Sequence, residues 1–383
     1  MADFDLDVDV TVVGAGIAGV SAGALLADGS SVVVLEQEVR AGHHASGRSA
    51  SLLNETVGHP VVCALAAMSR DFLQTPPPGF TDQPLLSRRG LLWVGDATAS
   101  QRLDELADTA NCRSRPGAVR RLNSAATMAV VPAMTPEAVA GGGVSEHEAM
   151  AIDTDLLLHG YLRLLRARGG RLLVATGLVA AHRRGSAWQI HTTAGVTIRA
   201  AHLVNAAGAW GDVVAERAGV EPLGLQPRRR TACIVPVLGV DPRWPMVMDV
   251  HGRYYFEPDA GGVLLSPCDS TPSEPCDATA DELDVAIALD TLREATTLPA
   301  RSVRRAWAGL RTFSRDEVPV VGEEPAAPGF WWLVGQGGGG IKTAPALAAI
   351  MAAAILGPKF AVAGSNHVTD PVDPALLSPA RLR

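Results

Sequence analysis

Gly14-Ala15-Gly16-Ile17-Ala18-Gly19 stands between an apolar run, Val8 to Val13, and an Ala- and Leu-rich stretch, Ile17 to Ala27. The run is rich in β-branched residues and reads as a strand, the stretch as a helix, and Ser31 to Leu35 as a second buried strand. Together they predict a β-α-β unit at the start of the chain. In such a unit the first glycine permits a tight turn, the second lets a pyrophosphate approach bare backbone, and the third lets helix and strand pack closely. The helix N-terminus supplies free N–H groups and partial positive charge for the phosphates. Glu36 closes the second strand 17 residues after Gly19, where its carboxylate can accept both ribose hydroxyls and would repel a 2′-phosphate. A glycine pattern that served only helix packing would need neither the second strand nor the acid. The unit therefore predicts an α/β dinucleotide-binding domain, and by itself it leaves NAD and FAD open.

The far end of the chain separates the two. FAD is long, and a protein with a single fingerprint needs further backbone loops at its flavin end. Two are available: Asn205 to Gly208, ending a strand in small residues, and Gly335-Gln336-Gly337-Gly338-Gly339-Gly340-Ile341-Lys342-Thr343, entering the last helix. A helix N-terminus preceded by bare backbone suits the electron-rich edge of a reduced isoalloxazine. The flanking strand-like Trp331 to Val334 and a strong helix argue against a floppy linker. Glycine loops at both ends predict a discontinuous cofactor domain, residues 1–90, 150–225 and 305–383, with a substrate domain, 91–149 and 226–304, inserted in it.

The intervening sequence fits that division. A helical stretch from Leu52 breaks at Thr75-Pro76-Pro77-Pro78-Gly79 and leads to strand character at Gly90 to Val94. Asp153-Thr154-Asp155 and Gly169-Gly170 bracket one amphipathic helix, Leu156 to Arg168, followed by a strand at Arg171 to Ala175. Trp188 to Thr193 and Val196 to Val204 read as a hairpin about Ala194-Gly195. Residues 226–304 read as short strands and Pro/Gly turns, and Trp307 to Thr312 as a glycine-rich loop.

Composition narrows the function. The 33 Lys plus Arg against 40 Asp plus Glu form no long block of either sign, which excludes a nucleic-acid partner. Cys63, Cys112, Cys233, Cys268 and Cys276 are scattered, with no C-x-x-C pair, so no disulfide framework, zinc site or iron-sulfur spacing is predicted and a cytoplasmic location fits. The acidic start, Met1 to Asp9, does not resemble a signal peptide. The longest apolar run, Thr343 to Gly357, is shorter than the roughly 20 residues that span a bilayer and predicts a packed helix.

These residues resemble the D-amino acid oxidase-like flavoproteins, the superfamily that includes glycine oxidase and sarcosine oxidase. The likeness comprises Gly14 to Gly19 with Glu36, Ser46-Gly47-Arg48-Ser49-Ala50, Asn205 to Trp210, Trp307-Ala308-Gly309-Leu310-Arg311, Asp316 to Gly322 and the terminal glycine loop. Within it, Gly47 to Ala50, Pro77-Pro78-Gly79-Phe80, Leu85-Leu86-Ser87, Leu223-Gly224-Leu225-Gln226-Pro227 and Leu376-Leu377-Ser378-Pro379 are similar to bacterial D-arginine dehydrogenase. The resemblance implies a glutathione reductase-like, Rossmann-type FAD domain with an inserted antiparallel α+β substrate domain. FAD, held non-covalently, would be contacted by Gly14, Gly16, Ile17, Ala18, Gly19, Glu36, Gln37, His44, Ser46, Arg48, Ser49, Ala50, Val179, Ala207, Gly208, Trp210, Gly309 and the loop Gly338, Gly339, Gly340, Ile341, Lys342 and Thr343.

The resemblance also implies that Arg311 grips a substrate carboxylate, with Tyr255, Arg230 and Lys342 beside it. A guanidinium offers a carboxylate a bidentate fork. On a strand, Tyr254 and Tyr255 point to opposite faces, so only one reaches the pocket. Where the D-arginine enzyme has a glutamate for the substrate guanidinium, this chain has Leu91, and Leu52 and Val57 stand where its lid carries a histidine and a tyrosine. Losing that counter-charge costs about 2 to 5 kcal/mol for a buried pair, so a neutral or hydrophobic side chain is favoured. The expected reaction is oxidative deamination of a D-amino acid by hydride transfer from Cα to flavin N5, with oxygen or a quinone-like acceptor reoxidising the flavin. A glycine- or sarcosine-type amine oxidase, which Lys342 favours, and a non-catalytic flavin subunit of a dehydrogenase complex are the alternatives.

Overall fold

A computed structural model describes residues 4–54, 56–113, 119–360 and 372–383; part of the chain start and the side chain of Cys112 lie outside them. Two large sheets organise the described residues. In the first, of eight strands, Leu6–Val13 lies between two parallel neighbours, Val32–Leu35 and Thr197–Asn205; Arg171–Leu173 and Phe330–Val334 extend the parallel array. The predicted hairpin forms, with Ala187–Thr192 antiparallel to Thr197–Asn205. Alternation along Leu6–Val13 sends Val10 and Val12 into one apolar layer and Val13 into the other. The helices Ile17–Leu26, Pro60–Gln74, Thr154–Ala167 and Gly340–Leu356 pack on the first side. Asp153 caps Thr154–Ala167 by accepting from the Leu156 N–H, as its position predicts.

The parallel strands all end at one edge. Val13 leads into Gly14, Leu35 into Glu36, Asn205 into Ala206 to Gly208, and Val334 into the terminal glycine loop. The Gly14 N–H bonds the Leu35 carbonyl and the Ala206 N–H that of Val13, drawing three strand ends together. In open α/β sheets ligands bind outside the carboxyl ends of the strands, so this topology gathers the predicted cofactor loops at one place.

The second sheet, of nine strands, is mostly antiparallel. Its longest strand, Gln226–Pro236, pairs over its length with Arg305–Phe313. This corrects the reading of Trp307 to Thr312 as a loop: a single glycine among residues that pair edge to edge does not break a ladder when the partner strand is continuous. A second difference is helix Glu282–Ala295, within the stretch read as strands and turns. Asp281 caps it, Glu282 and Asp284 lie in its first turn, and it covers the sheet with Ala288, Leu292 and Ala295. A small third sheet joins Leu52–Leu53, Met150–Ile152 and Leu86–Arg88.

The last described residues brace the cofactor sheet. Arg383 bonds Glu324 Oε2 at 2.6 Å and the carbonyls of Glu221 and Pro222, and Glu324 also accepts from Trp332 Nε1 at 3.0 Å. The Glu324 side chain is 2% exposed. Removing one partner of such a pair strands a buried charge, so Arg383→Ala is expected to cost about 2 to 4 kcal/mol. Thermal unfolding followed by circular dichroism checks this; an unchanged midpoint would refute it. Among the described residues no disulfide joins two cysteines and no helix is long and apolar enough to cross a membrane.

Candidate active site

Two adjoining cavities open at the carboxyl edge of the first sheet. The larger holds about 1610 Å³ of empty space counted out to its open mouth. Gly14, Gly16, Ile17, Ala18, Glu36 and Gln37 line one part of it; Ala207, Gly208 and Trp210 another; Gly309, Gly338, Gly340 and Ile341 a third. His44, Ser46, Arg48, Ser49 and Ala50 complete the wall. The fingerprint helix has no acidic residue in its first turn, and neither has Gly340–Leu356, so both N-termini keep their positive ends uncompensated.

Several of these side chains have tasks that sequence did not disclose. Glu36 accepts from the Ala15 N–H at 2.8 Å and the Glu38 N–H at 3.0 Å, which braces the glycine turn and leaves part of its acceptor capacity for a ribose. Ser46 Oγ accepts from the Ile17 N–H at 2.9 Å, standing at the start of the fingerprint helix. Arg48 donates to the carbonyls of Ala278 and Ala308 at 2.8 and 2.9 Å and pairs with Asp277, so it ties the 43–48 segment to the second sheet and its neighbouring loop. His44 bonds Glu38 at 3.0 Å and packs on Trp210; with His43, these groups bring ligand atoms within 4.8 Å of one another and could also hold a cation.

Five expected cofactor contacts do not line the larger cavity: Gly339 and Lys342 line the second one, and Val179, Gly19 and Thr343 line neither. Val179 is 49% exposed and its side chain lies off the cavity, because strand alternation turns its neighbour Leu178 inward instead. Gly19 is buried against Gly14 and Ala206, a packing position rather than a lining one. Thr343 is fully buried in its helix, with Oγ1 on the Gly339 carbonyl at 2.9 Å. Sequence reading missed Thr176 and Gly177, which line the cavity beside Gln37, because nothing local marks them.

The second cavity, about 920 Å³, shares Ala50, Arg230, Tyr255, Arg311, Gln336 and Ile341 with the first. Arg311 sits where the two meet. Strand register explains its company: Arg311 pairs with Arg228 and Gly309 with Arg230, so the guanidiniums of Arg311 and Arg230 share one face as diagonal neighbours. Arg311 makes no hydrogen bond or ion pair with any described residue and packs against Gly338. Burial, and after it the Arg230 charge, pull its pKa below the ordinary arginine range. Arg230 has its Nε on the Asp269 carbonyl at 2.6 Å. Arg229 points the other way, to Asp284 at 2.9 Å, while Arg228 pairs with Glu317, so the arginine triplet divides among three surroundings. Burial raises the Tyr255 phenol pKa, against the pull of Arg311 and Arg230, which keeps it a neutral donor.

Leu52 and Val57 line the second cavity as expected, with Met246, Met248 and Phe313, which sequence reading did not single out. Leu91 and Tyr254 are corrected. Leu91 is fully buried behind the wall, packed with Leu52, Met246 and Tyr255. Tyr254 faces away from Tyr255, as alternation requires, and stacks with Phe256 in the substrate-side core. Lys342 lines the second cavity too, and its ammonium donates to Asn54 O, Asn54 Oδ1 and Val57 O at 3.2, 2.9 and 3.0 Å.

Two sheets, a cavity at the strand ends lined by the fingerprint and terminal glycine loops, and an arginine with no hydrogen bond or ion pair among the described residues fit a nucleotide-cofactor oxidoreductase. The FAD dependent oxidoreductase family (DAO) matches residues 9–354, and the chain belongs to it. Glycine oxidase from Geobacillus kaustophilus superposes with a TM-score of 0.80 at 21% identity, covering 95% of this chain and all of that one. L-proline dehydrogenase from P. horikoshii does so at 0.81 and 18%, covering 98% of each. At these identities the likeness speaks for the fold. The bovine FAD-dependent oxidoreductase domain-containing protein 1 is 30% identical over 176 residues, 42% of this chain and 36% of that protein, so the match spans about a third of the relative's length.

FAD is the cofactor of this family, and the cavity fits it. The buried His43 Nδ1 and Thr312 Oγ1 have no hydrogen-bond partner and both residues line the larger cavity, which suits a polar ligand.

Proposed function

We propose that this chain oxidises the Cα–N bond of a neutral or hydrophobic D-amino acid, giving an imino acid that water converts to a 2-oxo acid and ammonia. The observation that carries the reading is Arg311, a cation without a protein partner at the junction of the cofactor cavity and an apolar chamber. Arg311 and Arg230 hold the substrate carboxylate between them. Tyr255, kept neutral by burial, closes over it as a donor. Leu52, Val57, Met246 and Met248 receive the side chain; the carboxylate that lines the same cavity, Glu317, is already paired with Arg228. The residues that line the larger cavity would hold FAD non-covalently, and that group would supply the redox chemistry. The protein's contribution is to aim the α-hydrogen and exclude water.

The preference for the D-form rests on the resemblance to D-arginine dehydrogenase, whereas the glycine oxidase likeness favours a second reading, a glycine- or sarcosine-type amine oxidase. Anaerobic flavin reduction by a panel of D- and L-amino acids, glycine and sarcosine tests both. Bleaching by neutral D-amino acids first is the expected result; bleaching by glycine or sarcosine alone supports the second reading, and no bleaching supports a non-catalytic flavin subunit. Reoxidation by air against reoxidation by a quinone separates the two candidate acceptors. In this reading the division into cofactor and substrate domains follows the two sheets, with Arg305–Phe313 moved to the substrate side, and the scattered thiols suit the cytoplasm.

A further inference from the structure

We propose that Lys342 is a positioning residue: with Asn54 it fixes Leu52 and Val57 as the wall of the side-chain chamber, and so sets how large a substrate side chain the enzyme accepts. The inference rests on the reading of the second cavity as the substrate chamber.

Lys342 occupies the third position of helix Gly340–Leu356 and is 7% exposed. A cation in the first turn of a helix opposes the dipole, and burial of an ammonium adds a desolvation cost. An apolar residue of the same length would fill the space without either penalty. What offsets them includes three oxygen acceptors on one short segment, Asn54 O, Asn54 Oδ1 and Val57 O. Asn54 is itself buried and doubly used. Its Oδ1 also accepts from the Val57 N–H at 3.1 Å, and its Nδ2 donates to the Leu52 carbonyl at 3.3 Å. One ammonium and one amide thus hold the two backbone positions whose side chains, Leu52 and Val57, line the chamber with Met246 and Met248. A hydrogen bond from Thr56 to the buried Glu146 holds the same segment to the second sheet. Because Gly338, Gly340 and Ile341, just before Lys342, line the cofactor cavity, the wall is indexed to the cofactor-facing loop itself.

The test uses FAD-loaded enzyme as Lys342→Met, Lys342→Arg, Asn54→Ala and the double variant Lys342→Met/Asn54→Ala. Flavin reduction is measured with alanine, valine, leucine and phenylalanine of the accepted hand, and acetate binding by its perturbation of the flavin spectrum. Releasing the wall is expected to change the leucine-to-alanine ratio of kcat/KM by about tenfold, the scale on which pocket walls discriminate methylene groups. Acetate affinity stays within about twofold, Lys342→Arg recovers part of the ratio, and the double variant does no more than either single one, as two members of one network should. Hydrogen exchange at the Val57 amide quickens in Lys342→Met and Asn54→Ala. Weakened acetate binding with an equal loss for every amino acid would overturn the proposal and return Lys342 to the carboxylate; unchanged exchange at Val57 would overturn it without reference to turnover. Should no amino acid reduce the wild-type flavin, the functional reading fails, while the exchange experiment still judges the anchor.

Discussion

Arg311→Met is expected to lower kcat/KM for every accepted amino acid by roughly 30- to 5,000-fold, the equivalent of about 2 to 5 kcal/mol for a desolvated charge pair, with FAD still bound. The reasoning is that Arg311 has nothing else to do. A structural arginine this deep in a protein is paired, since an unpaired buried charge is costly. Arg311 has no hydrogen bond or ion pair among the described residues and lies beside a second guanidinium, that of Arg230. The apoprotein bears the desolvation and the repulsion, and a carboxylate between the two guanidiniums relieves both. A further outcome follows, which a structural role does not predict: removing the charge should leave the thermal midpoint of the substrate-free enzyme unchanged or higher, a stability gained where binding is lost. Steady-state kinetics, the flavin absorbance and a melting curve on the same preparation decide it. Unchanged kinetics, or a clear fall in midpoint, would sink the assignment.

What could be read from sequence was what is encoded locally. The fingerprint turn, Glu36, the capped helix after Asp153 and the terminal glycine loop each carry their signal within a few residues, and each lies where that signal put it. The strand Arg305–Phe313 was not legible because its stability comes from Gln226–Pro236, far away in sequence, and strand propensity is largely a matter of such partners. Lys342 shows the same limit at the scale of a side chain. Its residue type and its place after the glycines fit a carboxylate ligand, and only the fold reveals that its ammonium also bonds Asn54 and Val57. Met246 and Met248 had no mark at all: strand Met246–Asp249 enters the second sheet beside Leu91–Gly95, and that pairing makes its methionines a wall. Val179 erred by one residue, which on a strand means the opposite face.

Gly16→Ala and Gly19→Ala are expected to part company, and the difference separates cofactor contact from helix packing. Gly16 has φ −70° and ψ 179°, extended backbone open to alanine, and an added Cβ would meet only Ser46 Oγ at 3.2 Å, a contact that a shift of a few tenths of an ångström relieves. The FAD-free protein should therefore keep its stability. The methyl would nevertheless stand on the surface where a pyrophosphate approaches the helix start, and loss of one or two charge-assisted hydrogen bonds there, about 1.5 to 3 kcal/mol each, predicts on the order of 100-fold weaker FAD binding. Gly19 is the opposite case. A Cβ there would lie 1.8 Å from the Gly14 carbonyl oxygen, which is backbone and cannot rotate away, and 3.4 Å from Ala206 Cβ. The helix would have to lift from the strand, costing about 1 to 3 kcal/mol of stability before any ligand arrives, and carrying its N-terminal N–H groups away from the phosphates as it moves. Melting of the apoprotein and quenching of flavin fluorescence on titration measure the two effects separately. Wild-type FAD affinity in Gly19→Ala would mean that close packing of this helix on its strand is not what builds the phosphate site, and a destabilised Gly16→Ala apoprotein would mean that Ser46 cannot yield. Because the two glycines lie three residues apart at the start of one helix, any general sensitivity of the segment to substitution would affect both alike; a split between affinity and stability is produced only by the geometry described for each.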